Sequence, residues 1–314
     1  MEAKTKKAAV LKNKKKIGGR EWQWIQMSIF PVLHTFVFCY CTLYGLLIAF
    51  KDYKYSRGIW GSKWVGFDNF KFFVLSNDCL RLVKNTLSLN ALFIVTLMVA
   101  EIALAIAFYE LTSRKALKAY QTILITPNFI SWVVVGYVVY AFLNPQYGII
   151  NNILKGLGMA PIQFYENGSL WPGILNAAQV WKNVGMGCII YYATLMGIDS
   201  SLFEAARIDG ANKRQEIRYI TLPMLTNLVV LQLIMRIGGI FNSDFGLFYQ
   251  LTRDSGSLYA ATDVIDTYLY RTMRVLGNMK LSSAVGFLKA VVSFVLVYIT
   301  NAIVRKVDNE ASLF

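Results

Sequence analysis

The residue types that most often carry catalysis or bind metals are scarce in this chain. His34 is the only histidine, so a metal site built on histidines is excluded. No HExxH and no Ser/His/Asp set is evident, which leaves a membrane enzyme with little support. The four cysteines show no CxxC spacing and fit buried or lipid-facing positions better than a redox or zinc site: Cys39, Cys41, Cys79 and Cys188.

Nucleotide chemistry also lacks its motif. The sequence contains no GxxxxGK(S/T) phosphate loop and no GxGxxG that follows a strand. We therefore expect no cofactor in this chain. If ATP drives its activity, another subunit must bind the ATP together with Mg²⁺.

Charged side chains within long apolar runs are the strongest remaining candidates, because a charge inside a membrane is costly and usually functional. Lys182 and Asp244 fit helix ends from which they would reach water, and Glu101 fits a pair with a base on a neighbouring helix. Arg236 and Lys289 lie nearest the middle of their runs. These two bases are therefore the best candidates to line a polar cavity.

The apolar runs themselves define the fold class. With 56% hydrophobic and 16% charged residues and a mean hydropathy of +0.45, the chain is too apolar for a soluble domain. Six runs are long enough to span about 30 Å of hydrocarbon, near residues 27–50, 86–111, 119–143, 172–196, 223–247 and 281–304. We predict an all-α polytopic membrane protein with six transmembrane helices. Residues 27–304 would form one membrane domain between a basic N-terminal tail, 1–26, and a C-terminal tail, 305–314.

The distribution of basic residues predicts the orientation. The two tails, the loop TSRKALK and the polar strip before the fifth run hold 17 Lys and Arg in about 70 residues. The alternate loops 51–85, 144–171 and 248–280 hold 12 in about 95 residues, although seven of these lie in the first loop alone. The bias predicts both termini on the cytoplasmic side. Contact with anionic lipid explains the net charge of +14 better than nucleic-acid binding does.

The polar strip EAARIDGANKRQEIRYITLP, residues 204–223, separates the fourth and fifth runs. Its pattern predicts two short helices. Ser201 and Glu204 have the spacing of a capping box at the start of the first helix, and Asp209-Gly210 predicts its end.

A second capping box, Asn212 with Gln215, predicts a new helix. Leu222-Pro223 predicts a break, with Pro223 in the first turn of the fifth membrane helix. The strip therefore presents a helix–turn–helix element at the cytoplasmic face. From physical reasoning alone it fits either a docking element for another protein or an amphipathic elbow at the membrane surface.

The strip also resembles a known motif. Its residues match the EAA signature of the membrane subunits of ABC importers in the order EAA, three residues, G, nine residues, I, one residue, LP. The matching residues are Glu204, Ala205, Ala206, Gly210, Ile220, Leu222 and Pro223, and Asp209 and Ala211 extend the match. At Asp199 the chain departs from the proline that the family often has.

The similarity covers nearly the whole chain after the basic tail. LITPNFISWVVVGYVVYAFLN and WKNVGMGCIIYYATLMGIDSSLFEAA are similar to the third and fourth core helices of the sugar-importer branch. FVFCYCTLYGLLIAFKDYKYSRGIWGSKWVGFDNFKFF and DVIDTYLYR are similar to permeases for oligosaccharides from complex polysaccharides. The resemblance implies a type I ABC importer permease fold in a bacterial cytoplasmic membrane.

The resemblance also implies a mechanism and partners. The EAA loop, residues 197–223, would be a coupling element seated in a cytoplasmic ATPase, with Leu222 and Pro223 passing motion into the fifth helix. The transporter would contain two ATPase subunits and a second, related permease subunit in preference to a second copy. An extracytoplasmic binding protein would deliver the oligosaccharide.

Further residues are candidates for the substrate path and for the binding protein. Asn242 and Ser243, further along the helix of Arg236, fit hydrogen bonds to hydroxyl groups, and aromatic rings fit stacking against sugars. If both Arg236 and Lys289 face the cavity, an acidic, uronate-containing sugar is favoured, whereas structural salt bridges would remove that basis. The path candidates are Arg236, Lys289, Glu101, Asn242, Ser243, Tyr137, Tyr140, Phe245 and Phe248, and the binding-protein candidates are Asp263, Asp266, Tyr268 and Arg271.

The main alternative is a secondary sugar transporter driven by an ion gradient. Such a protein favours a longer bundle with inverted repeats and helices broken at mid-membrane, and the sequence indicates neither. A membrane scaffold without a transport role would leave the full EAA match unexplained.

Overall fold

The computed structural model describes residues 19–307, and most of the two predicted tails lies outside the described residues. The helices are α1 Gly19–Thr35, α2 Gly58–Gly61, α3 Asp68–Val74, α4 Asn77–Tyr109, α5 Arg114–Ile125, α6 Trp132–Leu143, α7 Ile149–Gly156, α8 Trp171–Leu195, α9 Ser200–Ile208, α10 Lys213–Glu216, α11 Leu222–Gly238, α12 Phe245–Thr252, α13 Tyr259–Thr262, α14 Ile265–Arg274 and α15 Met279–Val307.

Segments of 3₁₀ and π helix and one small sheet connect these elements. The 3₁₀ segments are Cys41–Phe50, Thr126–Phe129, Gly168–Leu170 and Gly256–Leu258, and the π segments are Phe36–Tyr40 and Ile217–Thr221. Strands β1, Lys51–Asp52, and β2, Lys63–Trp64, pair antiparallel.

Four continuous helical segments within residues 19–307 are long and apolar enough to cross a membrane. They are Trp22–Phe50, Asn77–Tyr109, Lys213–Gly238 and Met279–Arg305. Two further segments pass only as bent pairs: Arg114–Phe129 with Trp132–Leu143, bent by 96°, and Gly168–Leu195 with Ser200–Ile208, bent by 71°. The helical membrane fold is confirmed, and the number of six spans stays a prediction.

The predicted third span, 119–143, is broken. Pro127 lies in the 3₁₀ turn Thr126–Phe129, and the chain leaves the helical path at Ile130 before Ser131 caps α6. The Lys182 ammonium donates to three carbonyl groups at this bend, at 3.3 Å for Pro127, 2.7 Å for Asn128 and 2.5 Å for Ile130, and the Pro127 carbonyl also accepts from the Ile130 N–H. Lys182 is buried in the middle of α8, so its predicted place at a helix end is wrong.

The predicted fifth span, 223–247, is also interrupted. Helix α11 ends at Gly238, and α12 begins at Phe245 behind the N-cap residue Asp244. Asn242 and Ser243 lie in this break, so the prediction that they continue the helix of Arg236 is wrong. Helices interrupted within the apolar runs are thus present, contrary to the sequence-based expectation.

Helix α4 defines the two ends of the molecule. Its 33 residues extend over roughly 50 Å at 1.5 Å per residue. At its C-terminal end Glu110 pairs with Lys213 of α10 at 2.9 Å, and near its N-terminal end Arg81 lies 3.5 Å from Asp263. The EAA loop and the 51–85 loop therefore lie at opposite ends of α4.

The core packs around α4 and α8. One hydrophobic cluster joins Leu89 and Phe93 of α4 to Trp171 and Leu175 of α8 and to α12. Close approach requires glycine at Gly185, where a Cβ would collide with the Leu124 carbonyl of α5. This packing positions the polar side chains that α4 and α8 contribute to the interior.

Candidate functional site

Helix α9 presents the first half of the EAA motif on the surface. Glu204, Ala205 and Asp209 are exposed and Ala206 is half-buried. Phe203 is buried, with its ring 5.8 Å from that of Tyr109. The face of α9 that points away from the protein is therefore available for contact.

Asp199, and not Ser201, caps α9. The Asp199 carboxylate accepts a hydrogen bond of 3.0 Å from the Ser201 N–H, which holds the pKa of that carboxyl below its usual range. The predicted capping box of Ser201 and Glu204 is therefore wrong, because the helix begins two residues earlier than that cap would place it, at Ser200. Asp199, where the family often has proline, supplies the cap.

Removal of this cap gives a first test. In Asp199→Ala we expect the α9 amide groups to exchange with solvent roughly fivefold faster, because a lost N-cap leaves backbone donors unpaired. Hydrogen–deuterium exchange of the purified chain measures this. Asp68→Ala is the matched control, because Asp68 lies in the first turn of α3 but caps no helix. Unchanged exchange in α9 would contradict the role of Asp199.

The turn after α9 has the geometry that its sequence predicts. Gly210 adopts a left-handed φ of +80°, and its N–H donates to the Arg207 carbonyl at 3.1 Å. The Ala211 N–H donates to the Ala206 carbonyl at 2.9 Å, which completes a Schellman motif. Space around Gly210 is open, so the backbone angle and not crowding disfavours a side chain there.

A buried carboxylate fixes the turn to the body of the protein. Glu216 is 2% exposed and accepts hydrogen bonds from Arg207 at 2.8 Å and Lys213 at 2.9 Å. Lys213 also pairs with Glu110 of α4. Sequence reasoning did not single out Glu216, and the only local signal is its spacing of three residues from Lys213.

The second half of the EAA loop enters α11 without a break. Asn212 and Gln215 form the predicted capping box, with bonds of 3.1 and 2.7 Å. The π segment Ile217–Thr221, which includes the half-buried Ile220, then leads directly into Leu222 and Pro223. Pro223 lies in the first turn as predicted, but the predicted break is replaced by a helical path from Lys213 to Gly238.

A cavity of about 350 Å³ lies between α4, α8 and the end of α11. Arg236, Asn242 and Asp244 contribute to its wall. Gln179 also lines the cavity, and its buried Oε1 accepts no hydrogen bond within the described part of the chain. The remaining lining residues are Asn90, Phe93, Ile94, Leu97, Gly239 and Ile240.

Arg236 is neutralised by a buried partner. Its Nη2 donates to both carboxylate oxygens of Glu101, at 2.8 and 2.7 Å. Glu101 is 1% exposed, and Gly187 of α8 gives it room, because a Cβ at that position would collide with the carboxylate. The predicted pairing of Glu101 with a base on another helix is confirmed.

Lys289 is also neutralised. It donates to Asp266, which in turn accepts a 2.8 Å hydrogen bond from the Ser243 N–H. The Ser243 hydroxyl accepts from Asn90 at 2.9 Å. Because both Arg236 and Lys289 form salt bridges, the pair of unpaired bases that favoured an acidic sugar is not present.

The aromatic candidates occupy three different places. Tyr137 is exposed beside Arg253, whereas Tyr140 lies under the Arg253 guanidinium at 4.1 Å. Phe245 stacks on Tyr249 at 4.9 Å. Phe248 is buried in the core cluster, which makes it a packing residue.

The four candidates for contact with a binding protein all have partners within the protein, at the end of α4 opposite the EAA loop. Asp263 is 2% exposed and accepts from Arg271 at 2.7 Å. The ring of Tyr268 lies 5.7 Å from that of Phe73, and Asp266 pairs with Lys289. Asp244, predicted near water, caps α12 and accepts a 2.6 Å hydrogen bond from the Trp132 indole.

Residues 19–307 contain no group of three or more His, Cys, Asp or Glu side chains placed to hold a metal ion. The two candidate functional features are the exposed EAA loop at one end and the cavity beside the Arg236–Glu101 pair.

Comparison with known proteins identifies the family. Residues 101–310, more than half of the chain, match the family model described as the binding-protein-dependent transport system inner membrane component. The chain belongs to this family of multi-pass membrane permease subunits of ABC transporters. Taken alone, the interrupted helices would fit a secondary transporter. The family assignment shows that here they occur in an ABC permease.

Two curated relatives come from Bacillus subtilis (strain 168). Protein LplB is 34% identical over 92% of this chain and 90% of its own length. The polygalacturonan/rhamnogalacturonan transport system permease protein YteP is 32% identical over 92% of this chain and 89% of its own length. The similarity therefore extends over nearly the whole of each protein.

Two solved structures share the fold. A chain of a bacterial ABC transporter involved in import of the acidic polysaccharide alginate has a TM-score of 0.83 and 32% identity, covering 91% of this chain and 96% of that chain. A second structure, of an alginate transporter in complex with an alginate pentasaccharide-bound periplasmic protein, has a TM-score of 0.82 and 32% identity, covering 92% of this chain and 96% of that chain.

Proposed function

We propose that the chain forms half of the membrane path of an ATP-driven importer for an oligosaccharide. A related permease subunit supplies the other half, and an extracytoplasmic binding protein delivers the substrate. The family membership and the names of the relatives support this proposal. The observation that carries it is the EAA loop: α9 is exposed, yet Arg207 ties it to Glu216 of α10, and Lys213 of α10 pairs with Glu110 of α4.

The loop is the site where an ATPase subunit docks. Two such subunits bind ATP and Mg²⁺, and one of them contacts the exposed surface of α9 and its turn. Motion of that subunit passes through Ile220, Leu222 and Pro223 into α11. The docking residues are Glu204, Ala205, Ala206, Asp209, Gly210 and Ala211.

Both termini and the EAA loop face the cytoplasm of a bacterial cell, and the protein crosses the cytoplasmic membrane six times. The higher density of Lys and Arg in these segments supports the orientation. At the other end, Asp263, Asp266, Tyr268 and Arg271 support the surface that receives the binding protein.

The cavity beside Arg236 is the part of the substrate path that this chain contributes. Asn242 and the free Gln179 oxygen are suited to hydrogen bonds with sugar hydroxyl groups. Phe245 and Tyr137 offer aromatic surface further along. Support for an acidic sugar comes from the relatives alone, because Glu101 and Asp266 neutralise the two bases.

Gly210→Val tests the coupling role. The β-branched side chain disfavours the left-handed turn, and we expect ATP-dependent transport activity to fall roughly tenfold. Gly158→Val is the matched control, because Gly158 has a φ of +73° and open space but lies in the loop between α7 and α8. The tagged chain is purified from its own membranes, and the co-purified ATPase and its ATP hydrolysis are measured.

The proposal predicts that an ATPase subunit with a phosphate-binding loop co-purifies with the parent chain and with Gly158→Val. Gly210→Val should lose the subunit or its coupled activity. If no ATPase is recovered and Gly210→Val transports like the parent, the coupling role is wrong and an ion-gradient carrier becomes the better account.

A further inference from the structure

The loop after the first span carries an unusual combination of residues for its position. Residues 51–75, here called the collar, contain five Lys or Arg against two Asp, and eight aromatic residues. The positive-inside rule disfavours so many basic residues in a loop that lies opposite the EAA loop. The coupling and transport roles proposed above do not use this segment.

The collar is a folded unit joined to the end of the first span. Asn69 donates to the carbonyl groups of Ala49 and Lys51, at 2.8 and 3.1 Å. Phe50 packs against the collar rings, stacking on Trp64 at 5.6 Å. Lys280 of α15 holds Asp52 at 2.6 Å. These contacts fix the position of the collar relative to the first span and α15.

The collar folds back along the span. Its Trp60 ring lies 5.3 Å from that of Tyr44, six residues before the end of the 3₁₀ segment at Phe50. At about 2 Å per residue, Tyr44 lies roughly 12 Å inside that end. Trp60 is 80% exposed, so its indole is open to the surroundings of the span at the level of Tyr44.

Apolar and basic side chains share the exposed surface of the collar. Phe67, Phe72 and Leu75 are each about two-thirds exposed or more. The exposed side chains of Lys54, Arg57 and Lys63 form no ion pair with any described residue. Indole and Phe rings fit the boundary of headgroups and acyl chains, and unpaired cations fit phosphate groups above them.

We propose that the collar lies in the headgroup layer of the outer leaflet and binds anionic phospholipid. Trp60 and the exposed Phe rings enter the acyl boundary, while Lys54, Arg57 and Lys63 bind lipid phosphates. The proposal rests on the proposed orientation, with the EAA loop in the cytoplasm, and not on the coupling role of that loop. It gives a role to three of the seven Lys and Arg in residues 51–85, a loop opposite to the basic cytoplasmic segments.

Quenching of Trp60 by brominated lipid tests the proposal. The full-length chain is placed in phosphatidylcholine nanodiscs with increasing fractions of brominated phosphatidylglycerol, or of brominated phosphatidylcholine. The signal of Trp60 is the difference between the parent and Trp60→Phe. We expect the Trp60 signal to be half-quenched at a much lower fraction of brominated phosphatidylglycerol than of brominated phosphatidylcholine. Each Gln that replaces Lys54, Arg57 or Lys63 should lower the affinity for phosphatidylglycerol roughly fivefold.

The matched control replaces Arg114, Lys115 and Lys118 with Gln, which removes the same charge at the other end of α4. This variant should leave the Trp60 signal unchanged. Added salt should reduce the preference for phosphatidylglycerol, because exposed charges are screened. Equal quenching by both lipids would overturn the choice of anionic lipid. Absence of quenching by either lipid would overturn the membrane contact.

Discussion

Replacing Arg236 with Met is expected to destabilise the protein by about 3–5 kcal/mol, because it leaves the Glu101 carboxylate buried without a partner. The methionine side chain keeps much of the volume of the arginine stem, so most of the loss comes from the charge. The free energy of unfolding in mixed detergent micelles with increasing dodecyl sulfate measures the effect.

A double variant separates the charge from the packing. In Glu101→Gln with Arg236→Met the buried charge is absent, and we expect most of the lost stability to return. Arg218→Met is the control on the same continuous helical segment, because Arg218 is exposed. If Arg236→Met unfolds at the same detergent fraction as the parent, the ion pair does not stabilise the helix bundle.

Replacing Lys182 with Met is expected to cost about 2–4 kcal/mol, because it leaves carbonyl groups at the bend between α5 and α6 without their donor. In a continuous helix the N–H groups of Trp132 and Val134 would bond the carbonyls of Asn128 and Ile130, but the chain leaves the helical path at Ile130. Of the three carbonyls, that of Pro127 alone keeps a backbone donor within residues 19–307, the Ile130 N–H at 3.1 Å. Unfolding in mixed micelles measures the loss, and exchange of the α6 amides locates it.

Lys155→Met is the control for this prediction. Lys155 is an exposed lysine in the last turn of α7, so its replacement removes the same ammonium group without freeing a buried carbonyl. Equal loss in the two variants would show that net charge, and not the three carbonyl bonds, sets the effect. Accelerated exchange confined to α6 and the preceding turn in Lys182→Met would support the assigned role.

The EAA loop was predictable from sequence because its determinants are local. The turn at Gly210 and the capping box of Asn212 with Gln215 depend on residues within one or two turns of each other. The error at Asp199 has the same origin. Two overlapping cap signals lie two residues apart, and the choice between them depends on where α8 ends, at Leu195.

The cavity was predictable only in part, because its contacts join distant segments. Glu101 and Arg236 are 135 residues apart, and no local pattern reveals which carboxylate faces which base. The break after α11 did leave a signal that we did not use. Gly238-Gly239 predicts a helix end, and Asp244 predicts a new N-cap before Phe245.

The unbroken helical path from Lys213 to Gly238 has a thermodynamic consequence. It joins the EAA loop to Arg236 over roughly 35 Å as one helical segment. Suppose that docking of an ATPase at one end favours one position of this path, and that binding of a sugar at the other end also favours one position. The two binding events are then linked. The factor by which the sugar strengthens ATPase docking must then equal the factor by which docking strengthens sugar binding.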